Sequence, residues 1–481
     1  MKAEEIALIQ SKHNAAIVAP AGHGKTEMIT DLVEWLPGKK LVLTHTNAGV
    51  SALQQRLRRK QISLEKFSLA TISSFCMRWC GTYPVTSQID TSIGITDKRF
   101  YKDQYRGTAQ VFTHSWSREI LANTYSCVIV DEYQDCIVEQ HRIFIEINKS
   151  IPVYVLGDPL QSIFGWAGTP VCWKDMAFER VDIETAPHRW ERTNIALGQY
   201  LTTVREILMP ALDGKKVTLP IVSNGSFIRK ISPSAARGTG LLRELNHYQS
   251  ALYLTKWPQA QCSFSQQTGG IFQNDEPQNL NDLYNYAQYL DIDDGYTRAE
   301  TVFSFIEGCA TQVNAELGSY KKHIKDGDFN FSKITKNLEF GSRMLDLYQK
   351  HGYDEMLSVL NWIKANSTFR IYRRELYMEL MRSIRFARDR GTTIYEAAQQ
   401  IRMIPNNQSK YAGFKKLSSR AVLSKGLEFE CVAINLEERY TATEMYVAMT
   451  RAMKAIYFIT DRSSVLLDVP EGMQKRKNVR G

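Results

Sequence analysis

Residues 15–26 read AAIVAPAGHGKT, which is a short apolar run, a glycine-containing loop and then Lys25-Thr26. Apolar residues at helical spacing continue to Trp35, so the pattern predicts a buried strand, a loop and a helix. The glycines let backbone N–H groups turn onto phosphate oxygens, and the helix N-terminus adds the positive end of its dipole. The stretch therefore predicts a phosphate-binding loop within an α/β fold.

Different residues of the loop are expected to contact different parts of the nucleotide and its metal ion. Lys25 is expected to reach the β and γ phosphates, and the Thr26 hydroxyl is expected to ligate Mg²⁺. ATP and Mg²⁺ are therefore the cofactors that this segment implies. The residues predicted to contact the nucleotide here are Ala21, Gly22, His23, Gly24, Lys25 and Thr26.

A second apolar run, residues 127–130, ends in the acidic pair Asp131-Glu132. Asp131 would hold Mg²⁺ through water, and Glu132 would orient or deprotonate an attacking water molecule. Paired acids after a strand are also common on protein surfaces. Because the strand would carry both carboxylates to the carboxyl edge of a parallel sheet, beside the loop, a catalytic pair is the favoured interpretation.

The rest of the chain alternates between two kinds of pattern. Short apolar runs at 15–19, 41–45, 69–72, 127–131 and 153–156, separated by helical patterns, predict a parallel α/β sheet. Residues 275–405 are dominated by helix formers with apolar residues at i, i+3 and i+4, which predicts a helical domain. Strand-like runs return at 421–423, 431–434 and 456–460, with a helix expected at 444–451.

Composition limits the class of protein. With 481 residues, 43% of them hydrophobic, the chain should form two to four domains. No apolar stretch is long enough to span a membrane, so a soluble, cytoplasmic protein is expected. The eight cysteines form no Cys-x-x-Cys pair, which predicts reduced thiols and neither a zinc site nor an iron–sulfur cluster. The net charge of +9 weakly favours a polyanionic partner.

Further motifs follow in a fixed order: DEYQD at 131–135, GDPLQSIFGW at 157–166, KGLEF at 425–429 and YVAMTRA at 446–452. Together with Thr44-His45-Thr46-Asn47 and TISSF at 71–75, they resemble the UvrD/Rep superfamily 1 helicases over residues 1–190 and 415–460. The resemblance implies an ATP-driven motor on single-stranded or forked DNA. It also implies two RecA-like P-loop domains with parallel sheets, the first with a small insertion and the second with a mainly helical insertion.

The domain boundaries follow from the motifs and patterns together. The first RecA-like domain is expected at 1–80 and 125–190, with the small insertion at 81–124. The second is expected at 191–274 and 406–465, with the helical insertion at 275–405 and a basic tail at 466–481.

The resemblance also assigns roles residue by residue. It makes Gln161 a sensor of the γ phosphate, Glu428 a ribose contact and Gln10 an adenine contact. It makes Arg189 and Arg451 arginine fingers from the second motor domain, although a surface salt bridge is the ordinary fate of an arginine. The residues that it assigns to DNA binding are Thr44, His45, Asn47, Thr71, Phe164 and Trp166.

Four positions depart from the family pattern: Ala19, Glu27, Ala167 and Val422. They stand where a loop glycine, an adenine-stacking arginine, the arginine of Trp-Arg-Gly and a histidine are usual. The hydrolytic residues are intact, whereas the departures affect nucleotide stacking and the link between phosphate and DNA. ATP hydrolysis is therefore better supported than processive unwinding.

Aromatic and basic residues suggest a path for nucleic acid. Phe164 and Trp166 would stack on successive bases, and core packing is the alternative. The arginine-rich segment 370–390 would clamp phosphates or would simply form a solvated helix face. The shorter basic cluster at 56–60 follows a family DNA motif, which favours a nucleic-acid contact.

Length and architecture are also similar to the short UvrD-like subunits that accompany an OLD-type nuclease in Gabija anti-phage systems. That similarity implies an OLD-type nuclease subunit as a partner and no membrane association. Two functions therefore remain open. One is a DNA translocase or helicase, and the other is a regulatory subunit that senses ATP and DNA ends for a partner nuclease.

Overall fold

The computed structural model describes residues 1–93, 97, 99–165, 168–173, 176–237, 239–276, 280–403 and 415–470, without the side chains at 47, 48, 402 and 403. The chain divides into two compact units. The first comprises Met1–Ser232, Lys425–Glu430 and Arg439–Gly481, and the second comprises Pro233–Ser424 and Cys431–Glu438. Four predicted features lie outside the described residues, namely Trp166, Ala167, the Asn47 side chain and the tail from 471 onward.

Residues 1–232 alternate helices and strands. The helices are α1 (Ala3–Gln10), α2 (Lys25–Trp35), α3 (Asn47–Arg59), α4 (Ile72–Thr82), α5 (Pro84–Ser87), α6 (Phe100–Phe112), α7 (Ser115–Thr124), α8 (Val138–Asn148), α9 (His188–Glu191) and α10 (Ile195–Leu208). The strands are β1 (Asn14–Val18), β2 (Lys40–Thr44), β3 (Phe67–Thr71), β4 (Cys127–Val130), β5 (Val153–Gly157), β6 (Arg180–Val181), β7 (Val217–Pro220) and β8 (Ile228–Ile231).

The later residues are mainly helical before strands return. The helices are α11 (Pro233–Arg237), α12 (Gly240–Asn246), α13 (Pro258–Gln267), α14 (Asn281–Leu290), α15 (Gly295–Cys309), α16 (Val313–Lys325), α17 (Leu338–Lys350), α18 (Tyr353–Ala365), α19 (Arg374–Arg390), α20 (Ile394–Met403) and α21 (Ala442–Met449). The strands are β9 (Ala251–Leu254), β10 (Gln273–Asn274), β11 (Lys416–Ser419), β12 (Phe429–Asn435), β13 (Ala452–Ile459) and β14 (Ser464–Leu467).

The first sheet positions the phosphate loop. Its six parallel strands lie in the order β3-β2-β4-β5-β1-β6. Alternate residues of β1 enter different cores, with Ala16 in one and Ile17 in the other, because side chains alternate between the faces of a strand. Helices α2 and α3 cover one face, and α4 and α8 cover the other. Since β1, β4 and β5 are parallel neighbours, the loops that follow them meet at one edge.

The described residues of the segment expected as a small insertion, 81–124, include the helices α5, α6 and α7. Helix α6 packs against α4 and α8. Val111, Phe112 and Leu121 are buried in the same core as Val128 of β4. This segment therefore contributes directly to the core of the first unit.

The second sheet corrects one predicted strand. Its six strands lie in the order β10-β11-β9-β12-β13-β8, which confirms the prediction of an α/β fold with two parallel sheets. The run 421–423 forms a turn instead of the expected strand, and the strand is β11 at 416–419. The buried residues of β11 include Ser418, which donates a hydrogen bond to the Gln261 carbonyl, and Ser419, which donates one to Asp275. Polar side chains that are satisfied in this way leave no apolar pattern.

Helices α14 to α20 share one apolar core within the second unit. Phe303, Phe340, Leu360 and Leu380 are among its buried side chains. Apolar residues at helical spacing give each helix a buried face, as the periodicity of this segment predicts. No helix in the described ranges is both long and apolar enough to cross a membrane.

Candidate nucleotide site

The phosphate loop joins β1 to α2 in the first unit. Gly22 and Gly24 have φ angles of +73° and +83°, a left-handed conformation that favours glycine. Gly24 is the residue before the first turn of α2, so the free N–H groups of that turn face the loop. Lys25 and Thr26 occupy the first two positions of the helix. The loop therefore has the backbone shape that phosphate binding requires.

Asp131 and Glu132 follow β4 and lie next to the loop. The Lys25 Nζ atom is 2.6 Å from Oε2 of Glu132 and 3.6 Å from Oδ1 of Asp131. Glu132 has a φ angle of +54°, an uncommon conformation for a residue with a side chain. Such strain is typical of functional sites. The predicted cation and the predicted acidic pair are thus in direct contact.

Burial and neighbouring charges shift the ionisation of these groups. Burial raises the pKa of Asp131 to about 6, with a further contribution from Glu132. Burial also acts to raise the pKa of Glu132, but Lys25 and Lys425 outweigh it and lower that pKa. For Lys25, burial acts to lower the pKa, and the Glu132 and Asp131 carboxylates reverse the effect, so the pKa is raised. Glu132 and Lys25 therefore both remain charged at neutral pH.

Gln161 lies in the loop after β5 and reaches the same region. Its Oε1 atom is 3.4 Å from an Nη2 atom of Arg451, and its Nε2 atom donates a hydrogen bond of 3.1 Å to Asp158. Arg451 is buried, and its guanidinium also donates to the carbonyl oxygens of Val447 and Leu427. Burial, together with the nearby Arg189 cation, lowers the pKa of Arg451 to about 9, so the group stays charged at neutral pH.

Arg189 lies on the short helix α9, which packs directly on the phosphate loop. Its backbone N–H donates to the Gly22 carbonyl over 3.1 Å, and its side chain pairs with Glu428 over 2.7 Å. A Cβ atom placed on Gly22 would lie 2.6 Å from the Trp190 ring, and one placed on Gly24 would lie 3.2 Å from the His188 ring. The compact unit that holds the loop thus also holds both predicted arginine fingers.

These residues fit a nucleotide with Mg²⁺. The loop has glycine at its two left-handed positions. The positive charge of Lys25 is compensated by Asp131 and Glu132, and carboxylates are groups that can hold a metal ion. No group of three or more His, Cys, Asp or Glu side chains in the described part of the chain could hold a metal ion alone. Mg²⁺ keeps several water ligands and binds through one or two protein groups together with phosphates, and Thr26 and Asp131 are the groups predicted to hold it.

Two predicted nucleotide contacts are exposed. Gln10 is the last residue of α1. Glu428 is paired with Arg189. Their assigned roles, adenine and ribose contacts, stay predictions.

The predicted DNA contacts have structural roles of their own. Thr44 is buried at the end of β2, and the Thr71 hydroxyl caps α4 by accepting from the Ser74 N–H. Burial, assisted by Lys425, lowers the pKa of His45 to about 4. Phe164 lies beneath the Lys425 ammonium, 5.7 Å from Nζ to the ring centroid.

Much of the predicted basic surface is engaged in ion pairs within the chain. Arg56 of α3 and Lys60, which follows that helix, pair with Glu27 of α2. In the second unit, Arg373 forms a bidentate pair with the buried Glu276 and a further pair with Asp282. Arg373 therefore supports the fold, a role that differs from both the phosphate clamp and the solvated helix face considered for the 370–390 segment.

Sequence reasoning missed two residues that connect the site. Lys425 pairs with Asp135 and donates to the Gln161 carbonyl over 2.9 Å, and its place in a recognised motif could have indicated such a role. Arg205 pairs with Asp158 over 2.6 Å. It lies on the partly buried side of an ordinary amphipathic helix, where no motif marks it.

The fold and the loop define the class of this protein as a P-loop α/β protein. A family model described as an AAA domain matches residues 3–167, which implies nucleotide binding. A segment of 56 residues is 36% identical to the RecBCD enzyme subunit RecB of Buchnera aphidicola subsp. Schizaphis graminum (strain Sg). The segment covers 11% of this chain and 5% of that protein. The two matches together support a P-loop fold of the superfamily 1 helicase kind.

Proposed function

We propose that this chain is an ATP-dependent translocase or helicase that acts on single-stranded DNA. The observation that carries the proposal is the convergence of Lys25, Glu132 and Gln161 with the buried Arg451 inside one compact unit. The AAA-domain match and the similarity to RecB support the same class of enzyme.

The proposed hydrolysis uses the loop and the acidic pair. Lys25 exchanges its contact with Glu132 for the β and γ phosphates, and Glu132 is then free to orient or deprotonate the attacking water. Thr26 and Asp131 would hold Mg²⁺, which when bound neutralises charge on the phosphate oxygens. Lys425 also lowers the pKa of Glu132, which helps the carboxylate to stay ionised when Lys25 moves to the phosphates, as an acceptor of a water proton must be.

The remaining polar residues act on the γ phosphate. Gln161 senses it, and Arg451 and Arg189 supply cations to the charge-spread transition state. Arg451 needs little reorganisation for this task, because carbonyl groups already orient its guanidinium. Gln10 and Glu428 contact the adenine and the ribose.

The same loop links the nucleotide to DNA. Gln161 and Phe164 are three residues apart, and Lys425 contacts both the carbonyl of the first and the ring of the second. Phe164 and Trp166 stack on bases, which tolerates any sequence and therefore suits a motor. We propose a DNA contact for Thr44, His45, Asn47 and Thr71 on the strength of the family resemblance alone.

Turnover of ATP by the isolated chain tests the proposal. It is measured without DNA, with single-stranded DNA and with a forked duplex whose unwinding is scored in parallel. We expect turnover that single-stranded DNA stimulates, and Lys25→Ala is the variant that excludes a contaminating ATPase. A chain that binds no ATP, or an ATPase that DNA leaves unchanged, contradicts the proposal.

The outcome on the forked duplex separates the two open functions. Strand separation supports a helicase. DNA-stimulated turnover without strand separation supports translocation or the alternative role of an ATP- and DNA-end-sensing subunit of a partner nuclease, which the departure at Val422 favours. The OLD-type nuclease partner and the role in anti-phage defence stay predictions.

A further inference from the structure

Asp158 is a fully buried carboxylate at the centre of the site. Its Oδ2 atom accepts from the backbone N–H of Ala21 in the phosphate loop and from Nε2 of Gln161, both over 3.1 Å. Its Oδ1 atom accepts from the backbone N–H of Leu160 over 3.2 Å. One carboxylate therefore touches both the loop and the predicted γ-phosphate sensor.

Arg205 supplies the positive charge that this carboxylate needs. Its Nη1 atom lies 2.6 Å from Oδ1 of Asp158, and its side chain is 14% exposed. The guanidinium also lies over the ring of Tyr446, 5.5 Å from the centroid. Tyr446 belongs to α21, the helix that directly precedes Arg451. Arg205 thus connects α10 with the loop that carries Gln161 and with the helix that ends two residues before Arg451.

We propose that Arg205 and Asp158 form a positioning pair that fixes the amide of Gln161 for ATP hydrolysis. The inference rests on the proposed function and extends it to a residue that lies outside every recognised motif. Neither residue of the pair touches the reacting atoms in this role, because both act through Gln161 and the loop.

The chemistry of the two groups determines the orientation of the amide. A carboxylate can only accept hydrogen bonds, so the Gln161 nitrogen must face Asp158. The Gln161 oxygen is then directed toward Arg451, at 3.4 Å from its Nη2 atom. The opposite orientation would place the amide nitrogen against Arg451, which has no acceptor, and the amide oxygen against Asp158, which has no donor. Asp158 and Arg451 together therefore select one of two amide orientations.

Arg205 is required because an isolated carboxylate is costly to bury. Without Arg205, the buried charge of Asp158 would lack its compensating cation, and the carboxylate would shift or draw water into the site. A carboxylate that shifts or binds water no longer holds the Gln161 amide in one position. Arg205 thus acts on the sensor by fixing the position of Asp158.

The test compares four variants of the full chain: Arg205→Met, Arg205→Lys, Asp158→Asn and the double variant Asp158→Asn/Arg205→Met. Three quantities are measured for each, namely kcat for ATP, equilibrium affinity for a fluorescent ATP analogue and thermal unfolding. The matched control is Glu206→Gln, since Glu206 is the adjacent exposed residue of α10.

We expect Arg205→Met and Asp158→Asn to lower kcat by about tenfold or more, the effect of losing a hydrogen bond to a charged group. Nucleotide affinity should change by less than about threefold, because Lys25 and the loop glycines remain. Arg205→Lys retains the charge and should restore most of kcat. A purely structural role would not produce this difference between kcat and affinity.

The double variant keeps the inference testable if Arg205→Met unfolds. It removes both charges of the pair and leaves neither partner buried without the other, so it should melt near the parent temperature while kcat stays low. The positioning role is overturned if the folded double variant has the kcat of the parent chain. It is also overturned if Arg205→Met or Asp158→Asn loses affinity for the ATP analogue while its kcat is preserved. A parent chain without turnover overturns the proposed function and this inference with it. Parent turnover that persists in Arg205→Met overturns this inference alone.

Discussion

The Nζ atom of Lys25 lies 2.6 Å from Oε2 of Glu132, so the cation of the phosphate loop neutralises the carboxylate that the proposed reaction requires. A triphosphate offers Lys25 more negative charge than one carboxylate does. In the proposed reaction we therefore expect ATP binding to draw Lys25 away and to free Glu132.

Substitutions of these two residues should have different effects. We expect Lys25→Ala to weaken ATP binding and to remove most hydrolysis, because the phosphate cation is lost. Glu132→Gln should retain ATP binding and lower turnover by about 10²–10⁴-fold, the usual contribution of a general base. Nucleotide titration and single-turnover kinetics would distinguish them. Parent-rate hydrolysis by either variant would refute this site.

Arg451→Ala should slow turnover with little change in ATP affinity. A cation that acts on the transition state contributes to kcat, and an arginine finger contributes about 10³-fold or more. Since Arg451 is buried, melting curves must accompany the kinetics, with the exposed Arg462→Ala as the matched control. Lost affinity with unchanged turnover of the bound fraction would make Arg451 a recognition residue.

Replacement of Phe164 and Trp166 by alanine should abolish stimulation by DNA while DNA-independent hydrolysis persists. Stacking contributes roughly 1–3 kcal/mol per base, so about 2–6 kcal/mol is lost if both rings contact bases. Stimulation is measured at subsaturating DNA, with the exposed Trp257→Ala as the aromatic control. Full stimulation by DNA in the double variant would show that Phe164 and Trp166 do not contact DNA and belong to the core or to a surface without this role.

Lys425→Met should reduce stimulated turnover more than basal turnover. Lys425 pairs with Asp135, donates to the Gln161 carbonyl and lies over Phe164, so its loss separates the acidic segment from the loop that we propose binds DNA. Lys425→Arg should retain part of the coupling because the charge is kept. The ratio of the two rates is the measurement, and an equal loss of both rates argues against coupling.

Arg373→Met should destabilise the second unit by about 3–5 kcal/mol, since it leaves the buried Glu276 carboxylate without its bidentate cation. Arg388→Met, on the same helix and exposed, should have little effect. Urea unfolding followed by circular dichroism compares the two variants. If the two variants have the same free energy of unfolding, Arg373 does not stabilise the fold and phosphate binding becomes the favoured interpretation for it.

The strands near the phosphate loop could be predicted from the sequence because burial on both faces leaves continuous apolar runs. Strand β2 is buried along all five residues, and its predicted bounds differ from the observed ones by one residue. The glycine pattern likewise indicates the backbone conformation of the loop. These patterns depend only on neighbouring residues, so they can be interpreted without knowledge of the tertiary structure.

Features that depend on distant partners could not be predicted. Strand β11 contains Ser418 and Ser419, whose hydroxyls are satisfied by residues far away in the sequence. Arg205 is separated from Asp158 by 47 positions, and Arg373 from Glu276 by 97. A charged residue on a helix has the same local pattern whether it faces solvent or a buried carboxylate.

The Trp190 indole packs against Gly22, and this contact limits which second mutations could restore a chain that carries Gly22→Ala. Gly22 is constrained twice, by its φ angle of +73° and by a ring that would lie 2.6 Å from an added methyl group. A smaller residue at 190 removes only the second constraint, and the same indole donates a hydrogen bond to the Ala452 carbonyl. We therefore expect no single change at position 190 to act as a second-site suppressor of Gly22→Ala. A second mutation that restores function to Gly22→Ala would have to change the backbone conformation of the loop.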